Sequence, residues 1–255
     1  MAIGTDHALS GRHRRCAGRP MIDWLLTPLS GAAGHQIAPW AYWHARSMVL
    51  AWAVLLPLGA LVARYFKVTP SQHWPDQLDN KVWWHAHRVL QWAGVVVMSA
   101  GAALAWRHAG SAAAMARLHA WAGWALIALG WLQVAGGLAR GSKGGPTDDR
   151  LHGDHYDMTA HRVWFERLHK AGGWLAVVAA VAVIAVGLVL ADAPRWMALA
   201  LAAWWLALAG AAWRWQRRGL CIDTYQAIWG PDPRHPGNRL VPIGWGVRRP
   251  PVAQE

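Results

Sequence analysis

Four histidines, His44, His87, His119 and His169, stand near the start of four successive hydrophobic stretches of the chain. Imidazole binds metal ions and protons, and inside a membrane it is costly unless something binds it, so a recurring intramembrane histidine is read first as a functional group. Two imidazoles facing each other from neighbouring helices supply both axial positions of a haem iron, and four supply two. The sequence holds no Cys-X-X-Cys-His, which excludes covalent c-type attachment and leaves two non-covalent b haems as the expected cofactors. His85 competes with His87, but Gly94 lies two turns on from His87 and in phase with it, which favours His87.

Positioning these groups requires long apolar helices, and the composition supplies them. Of the 255 residues, 55% are hydrophobic and 15% charged, and 21 tryptophans stand against 2 phenylalanines, the balance of an integral membrane protein. Five stretches reach the roughly 20 residues that cross a bilayer core: Trp43 to Val62, Trp84 to Trp106, Leu118 to Ala139, Leu168 to Leu190 and Trp196 to Trp213. The expected fold is an all-α membrane bundle of five transmembrane helices, four of which form a di-haem core. Residues 1–42 form an N-terminal segment, 43–213 the membrane domain, and 214–255 a basic tail rich in proline and glycine.

Alternation of the spans sorts the loops. Arg64, Lys67, Lys81, Arg140, Lys143, Arg150, Arg162 and Arg167 fall with the tail on one side, whereas the opposite loops carry Arg107, Arg117 and Arg195. By the positive-inside rule the first side is cytoplasmic, which predicts a multi-pass bacterial inner-membrane protein with a cytoplasmic C-terminus. The net charge of +12 is thereby assigned to topology, and nucleic-acid binding is not expected. Met1 to Pro20 is polar and basic, with Arg12, Arg14, Arg15 and Arg19, and does not read as a signal peptide; Met21 is an alternative start. Cys16 and Cys221 fall on opposite sides, so no disulfide between them is expected.

The same alternation pairs the histidines, His44 with His119 near the outer surface and His87 with His169 near the cytoplasm. Gly123 and Gly173 each follow a histidine by four residues, thinning the helix face where a porphyrin would lie; Gly94, Gly101, Gly130, Gly136 and Gly137 extend the pattern, with ordinary helix packing as the competing role. Arg46, Arg88, Arg117 and Lys170 stand within two residues of the four histidines, as partners for haem propionates or as snorkelling interfacial residues.

Two segments stand apart. Residues 141–161 gather Asp154, His155, Asp157 and His161, a set able to ligate a metal but without the spacing of a known class, so a cap over the inner haem is the preferred reading, with Thr159 capping the fourth span. The tail reads as an irregular strap that either packs over the cytoplasmic mouth or docks a redox partner protein.

Taken together, the motifs resemble the cytochrome b561 family of transmembrane di-haem electron carriers over about residues 43 to 190. The resemblance lies in His44-Ala45-Arg46-Ser47-Met48 with Leu56-Pro57-Leu58-Gly59-Ala60-Leu61-Val62 and Arg64, in His87-Arg88-Val89-Leu90-Gln91, in Leu118-His119-Ala120-Trp121-Ala122-Gly123 with Leu132-Gln133 and Gly137-Leu138-Ala139-Arg140, and in Leu168-His169-Lys170-Ala171-Gly172-Gly173. Ala45 stands where the family commonly has proline, and five spans replace the usual six. The resemblance implies electron transfer from a cytoplasmic donor, ascorbate in eukaryotic members, to an outer acceptor. It places Arg64, with Lys67, Lys81 and Arg140, at an anionic donor's site. Two other readings stay open: a quinol-oxidising cytochrome b subunit serving a partner enzyme, and a haem-free scaffold or permease. The oligomeric state, a homodimer included, is also open.

Overall fold

The computed structural model describes residues 20–32, 36–108 and 113–250. Cys16 and the four N-terminal arginines therefore lie outside the described residues. The described chain is all-helical, and five helices are long and apolar enough to cross a membrane.

The first of these is composite. A short α1 (Pro20–Leu26) precedes α2 (Pro39–Val49), which runs through a π-helical segment, Leu50–Leu55, into α3 (Leu56–Tyr65) without a break. Pro39 and Pro57 sit in the first turns of α2 and α3, where the missing proline N–H is tolerated. Pro57 still deprives a carbonyl one turn earlier of its usual donor. The indole N–H of Trp204 donates to the Ala53 carbonyl at 2.7 Å, and Gln91 Nε2 donates to the Leu56 carbonyl at 3.0 Å. The widened turn is thus satisfied from two other helices, as an interrupted helix in lipid requires.

The remaining spans are α4 (Val82–Trp106), α5 (Ala114–Leu138), α7 (Ala160–Leu190) and α8 (Arg195–Arg217). All five begin ahead of the limits read from hydropathy. The largest difference is α7, expected from Leu168: its 31 residues rise about 46 Å against a hydrocarbon core of about 30 Å, so its first turns project into the polar zone. Thr159 is its N-cap, as expected, accepting from the Arg162 N–H. In consequence His169 lies in the third turn of its helix, and His44, His87 and His119 in the second turn of theirs.

The α2/α3 rod packs along α4, and α5 along α7, giving a four-helix core around Ala51, Trp52, Leu56, Val95, Met98, Leu126, Ala176, Ala180 and Ile184. Glycines let the rods approach: a β-carbon on Gly94 would lie 2.7 Å from Leu56, and one on Gly130 2.7 Å from Met98. No residue of α8 is buried, and it lies outside the core with Leu201, Trp204 and Trp205 against it.

At one end of the bundle the 141–157 loop, with its one-turn α6 (Asp154–Asp157), meets the tail. The tail is more ordered than the irregular strap expected: Thr224–Trp229 form α9, every residue of it buried, and Pro236–Arg239 a 3-10 turn. Tyr156, Tyr225, Ile228 and Trp229 make a small aromatic core between them. Asp223 pairs with Arg249 at 2.7 Å and the strap closes back on the helix ends, where Arg64 donates to the Trp245 carbonyl at 2.6 Å and Lys170 to that of Ile243 at 2.8 Å.

Candidate paired-histidine site

The fold brings the four histidines together two by two. The rings of His44 and His119 are 6.3 Å apart, centre to centre, with planes at 83°, and those of His87 and His169 are 6.4 Å apart at 80°. One pair lies toward each end of the bundle. His87 is half-buried, whereas His85 is exposed and turns away from the pair.

Two of the rings are oriented by backbone carbonyls on the neighbouring rod. His44 Nδ1 lies 2.9 Å from the Gly101 carbonyl oxygen, and His87 Nδ1 lies 2.9 Å from that of Gly59. Both glycines serve the approach, since a β-carbon on Gly59 would fall against the Gln91 side-chain amide and one on Gly101 would fall 2.9 Å from Ser47. An Nδ1–H held by a carbonyl leaves Nε2 of the same ring as the lone-pair nitrogen, the tautomer a metal ligand needs. Phe165 stacks on His169 at 5.2 Å. His119 Nδ1 is buried, with the Val183 carbonyl near it but outside good hydrogen-bond geometry.

The spacing fits a bis-imidazole metal site. With metal–nitrogen bonds of about 2.0 Å and ring nitrogens about 1.1 Å from the ring centres, opposed imidazoles on one metal have centres about 6.2 Å apart. The glycines divide into two sets. Gly94, Gly101 and Gly130 are packing contacts, but a β-carbon on Gly123, Gly136, Gly137 or Gly173 would meet nothing within 4 Å. Open space beside His119 and His169 is what a flat macrocycle lying along α5 and α7 requires.

The expected cations are placed less uniformly. Arg46 is exposed and bonded to the Tyr42 hydroxyl. Arg88 and Arg117 are exposed beside their histidines, with the Arg88 guanidinium 5.8 Å from the Trp84 ring centre. Lys170 has other partners, Glu166 at 2.6 Å and the Ile243 carbonyl. Of the four residues expected at an anionic donor, Arg64 and Lys67 share the end of α3 beneath the tail, Lys81 is exposed at the start of α4, and Arg140 lies over the Trp84 ring at 4.2 Å. The structure does not gather all four into one pocket.

Beneath the tail lies a charged cluster that the spacing i, i+4, i+8 of Arg162, Glu166 and Lys170 signals but hydropathy hides. Glu166 is buried and receives Arg162 at 2.9 Å and Lys170 at 2.6 Å, with His155 Nε2 3.5 Å away. Lys67 is buried beside it, donating to the Ile222 carbonyl at 3.1 Å; burial and the neighbouring Lys170 lower its pKa to about 8. Burial, with Arg162 next in effect, holds the His155 pKa well below its ordinary value. The metal-ligating set read from the loop is dispersed. Asp154 bonds Ser142 and Thr159, Asp157 faces His152 and the Gly153 N–H, and His161 reaches the Ala139 carbonyl. Among the described residues no group of three or more such side chains is disposed to hold a metal ion.

Comparison of the chain with family models, curated proteins and solved structures finds no match.

Proposed function

We propose that this chain conducts single electrons across a membrane through two bis-histidine b haems, in the manner of the cytochrome b561 proteins its motifs resemble. The observation that carries the reading is the double coincidence of the histidine pairs. Two pairs, in different places and from different helices, share one centre-to-centre distance and one near-perpendicular ring arrangement. Packing alone has no reason to produce that twice, whereas axial ligation has.

When bound, the haems would supply one-electron redox chemistry; the chain holds and tunes them. His44 and His119 would hold one, His87 and His169 the other, with Gly123 and Gly173 leaving room beside the rings. Axial ligation, burial and nearby charge are the levers on their potentials. Arg46, Arg88 and Arg117, exposed beside three of the histidines, would be the propionates' partners. The basic side is read as cytoplasmic, in a bacterial inner membrane, with a small-molecule or quinol donor entering beside Arg64 and Lys67 and the acceptor on the opposite face.

The test is the redox-difference optical spectrum of the purified protein with haem quantified per chain, for the wild type, His44→Ala and His87→Ala. Two b haems in the wild type and one in each variant support the reading; a chain purified without haem overturns it.

A further inference from the structure

His155 is a buried ionisable group that the electron-transfer reading leaves without a role. It is 5% exposed and lies between α6, α7 and α9, with Tyr225 and Trp229 edge-on to its ring at 6.1 and 4.7 Å. Its Nε2 lies 3.5 Å from Glu166 Oε1 without making a hydrogen bond to it, and has no other hydrogen-bond partner. A buried polar atom without a partner carries an uncompensated desolvation penalty and asks for an explanation. A neutral ring protonated at Nδ1 offers this carboxylate no donor at Nε2, whereas a doubly protonated ring gains a charge-assisted hydrogen bond to it.

Burial keeps the ring neutral, and the cations gathered around Glu166 add to it. From α7, Arg162 and Lys170 already neutralise that carboxylate; Arg140 adds a third cation to the field at His155, and Lys67 approaches Glu166 from the end of α3. Tyr225 faces the ring from α9, and Asp154 and Asp157 flank it on α6, each occupied by hydrogen bonds of its own. The cluster is thus positive in excess by about the charge that one electron would cancel. Glu166 stands one turn before His169 on the same helix, so a charge arriving at the His87–His169 pair acts on the cluster across a short, water-poor distance. In such a medium a unit charge shifts its neighbours strongly.

We propose that His155 is a redox-linked proton site, binding a proton at Nε2 when an electron enters the haem site that His87 and His169 would form and releasing it when the electron leaves. This rests on the electron-transfer reading and adds a proton to it. The balance is one electron, drawn from a small organic reductant such as an enediol or a hydroquinone, and one proton from water on the tail side. The charge of the cluster and the histidine pair together is unchanged, and the Nε2–H then donates to Glu166. Because burial favours the neutral ring, the pH-dependent range lies on the acid side of an ordinary histidine.

The experiment is an optical redox titration of the haem-loaded full chain from about pH 5 to about pH 8, the range in which histidine titrates. It is made on the wild type, His155→Gln and the half-buried control His235→Gln, together with proton uptake measured by indicator dye on reduction of the wild type. The expected result is a midpoint for one of the two sites that falls as pH rises at the acid end, by up to about 59 mV per pH unit for one electron, with matching proton uptake. His155→Gln flattens it at unchanged haem content and His235→Gln does not. A pH-independent midpoint without proton uptake in the wild type, or the same slope in His155→Gln, overturns the proposal while leaving the electron carrier intact. Absence of haem overturns the carrier reading itself. Should His155→Gln fail to fold, the wild-type uptake decides alone.

Discussion

His87 on α4 is bonded through Nδ1 to the carbonyl of Gly59 on α3, and the relation is returned at the other end of the same two rods, where His44 on α2 is bonded to the carbonyl of Gly101 on α4. Each rod therefore orients the histidine of its partner. Ring orientation is decided by backbone placement, which the glycines permit, and the rings are aimed before any ligand arrives. Preorganisation of this kind is how second-neighbour groups raise ligand basicity and fix a tautomer.

Gly59→Ala and Gly101→Ala should each weaken one site without breaking the bundle. The new methyl group pushes against Gln91 or Ser47 and draws the carbonyl away from its imidazole. A loss of about 10-fold in haem affinity at the affected pair is expected, the lower end of what such supporting contacts contribute. Haem titration of apo-protein measures it, and equal loss at both pairs from a single change would contradict the pairing.

Bulk at the open glycines should separate cofactor binding from packing. Gly173→Leu places its side chain where a β-carbon meets nothing, so the bundle remains intact while the space beside His169 is filled. Haem stoichiometry should fall from two to one with little change in unfolding temperature. Gly94→Leu, driven into Leu56, should instead lower stability and deplete both sites together.

Trp204 should matter to the first span more than its place on an outer helix implies. Trp204→Phe removes the donor to the Ala53 carbonyl beside Pro57, at a cost of about 1 kcal/mol, the usual size of an interhelical hydrogen bond in a membrane. Unfolding in mixed detergent reads this out. Trp205→Phe serves as the control, and an equal loss there would remove the special role.

Lys67 predicts a pH dependence of stability. Its pKa falls from 10.5 unfolded to about 8 folded, so between those values the unfolded chain binds more protons and stability rises with pH. Below about pH 8 the buried charge is present and the penalty, at most about 3 kcal/mol, is felt in full. Lys67→Met should flatten the rise and stabilise the protein near neutrality by about 1 kcal/mol, less than the whole penalty because two carbonyls lose their donor. A chain less stable at neutral pH would show that the ammonium is better paired than the fold indicates.

The strap should be released by Lys170→Ala. Its ammonium ties Glu166 to the Ile243 carbonyl, and Arg64 and Gln216 would then hold the strap to the helix ends, at Trp245 and Gly246. Amide exchange over residues 243–247 is expected to rise about tenfold, equivalent to about 1.4 kcal/mol of local stability. Unchanged exchange would assign the closure to Arg249 and Asp223.

Much of this architecture was legible in the chain because hydropathy is a local property. Five apolar stretches, their alternation across a bilayer and the face shared by His119 with Gly123 follow from spacing along single helices. The pairing of His44 with His119 and of His87 with His169 followed from alternation alone, since parallel helices that start on one side place their first turns together. Less legible was anything requiring two helices to be laid against each other. Gly94 and Gly123 are the same residue type at comparable spacing from a histidine, yet one is filled by Leu56 and the other faces open space. Lys170 beside His169 reads as a propionate partner, but α7 starts eight residues earlier than its apolar run and brings Glu166 within reach of the ammonium.

The residues by themselves determined that this is a multi-span helical protein and which imidazoles share a level, because transfer from water to lipid depends on composition and period. The tertiary structure decided which carbonyls aim the rings, which glycines leave space, and that His155 in a polar loop is buried against a carboxylate of a membrane helix. Those outcomes depend on distances between segments far apart in the chain, and short-range hydrogen bonds and contacts carry no signature in the sequence of either partner alone.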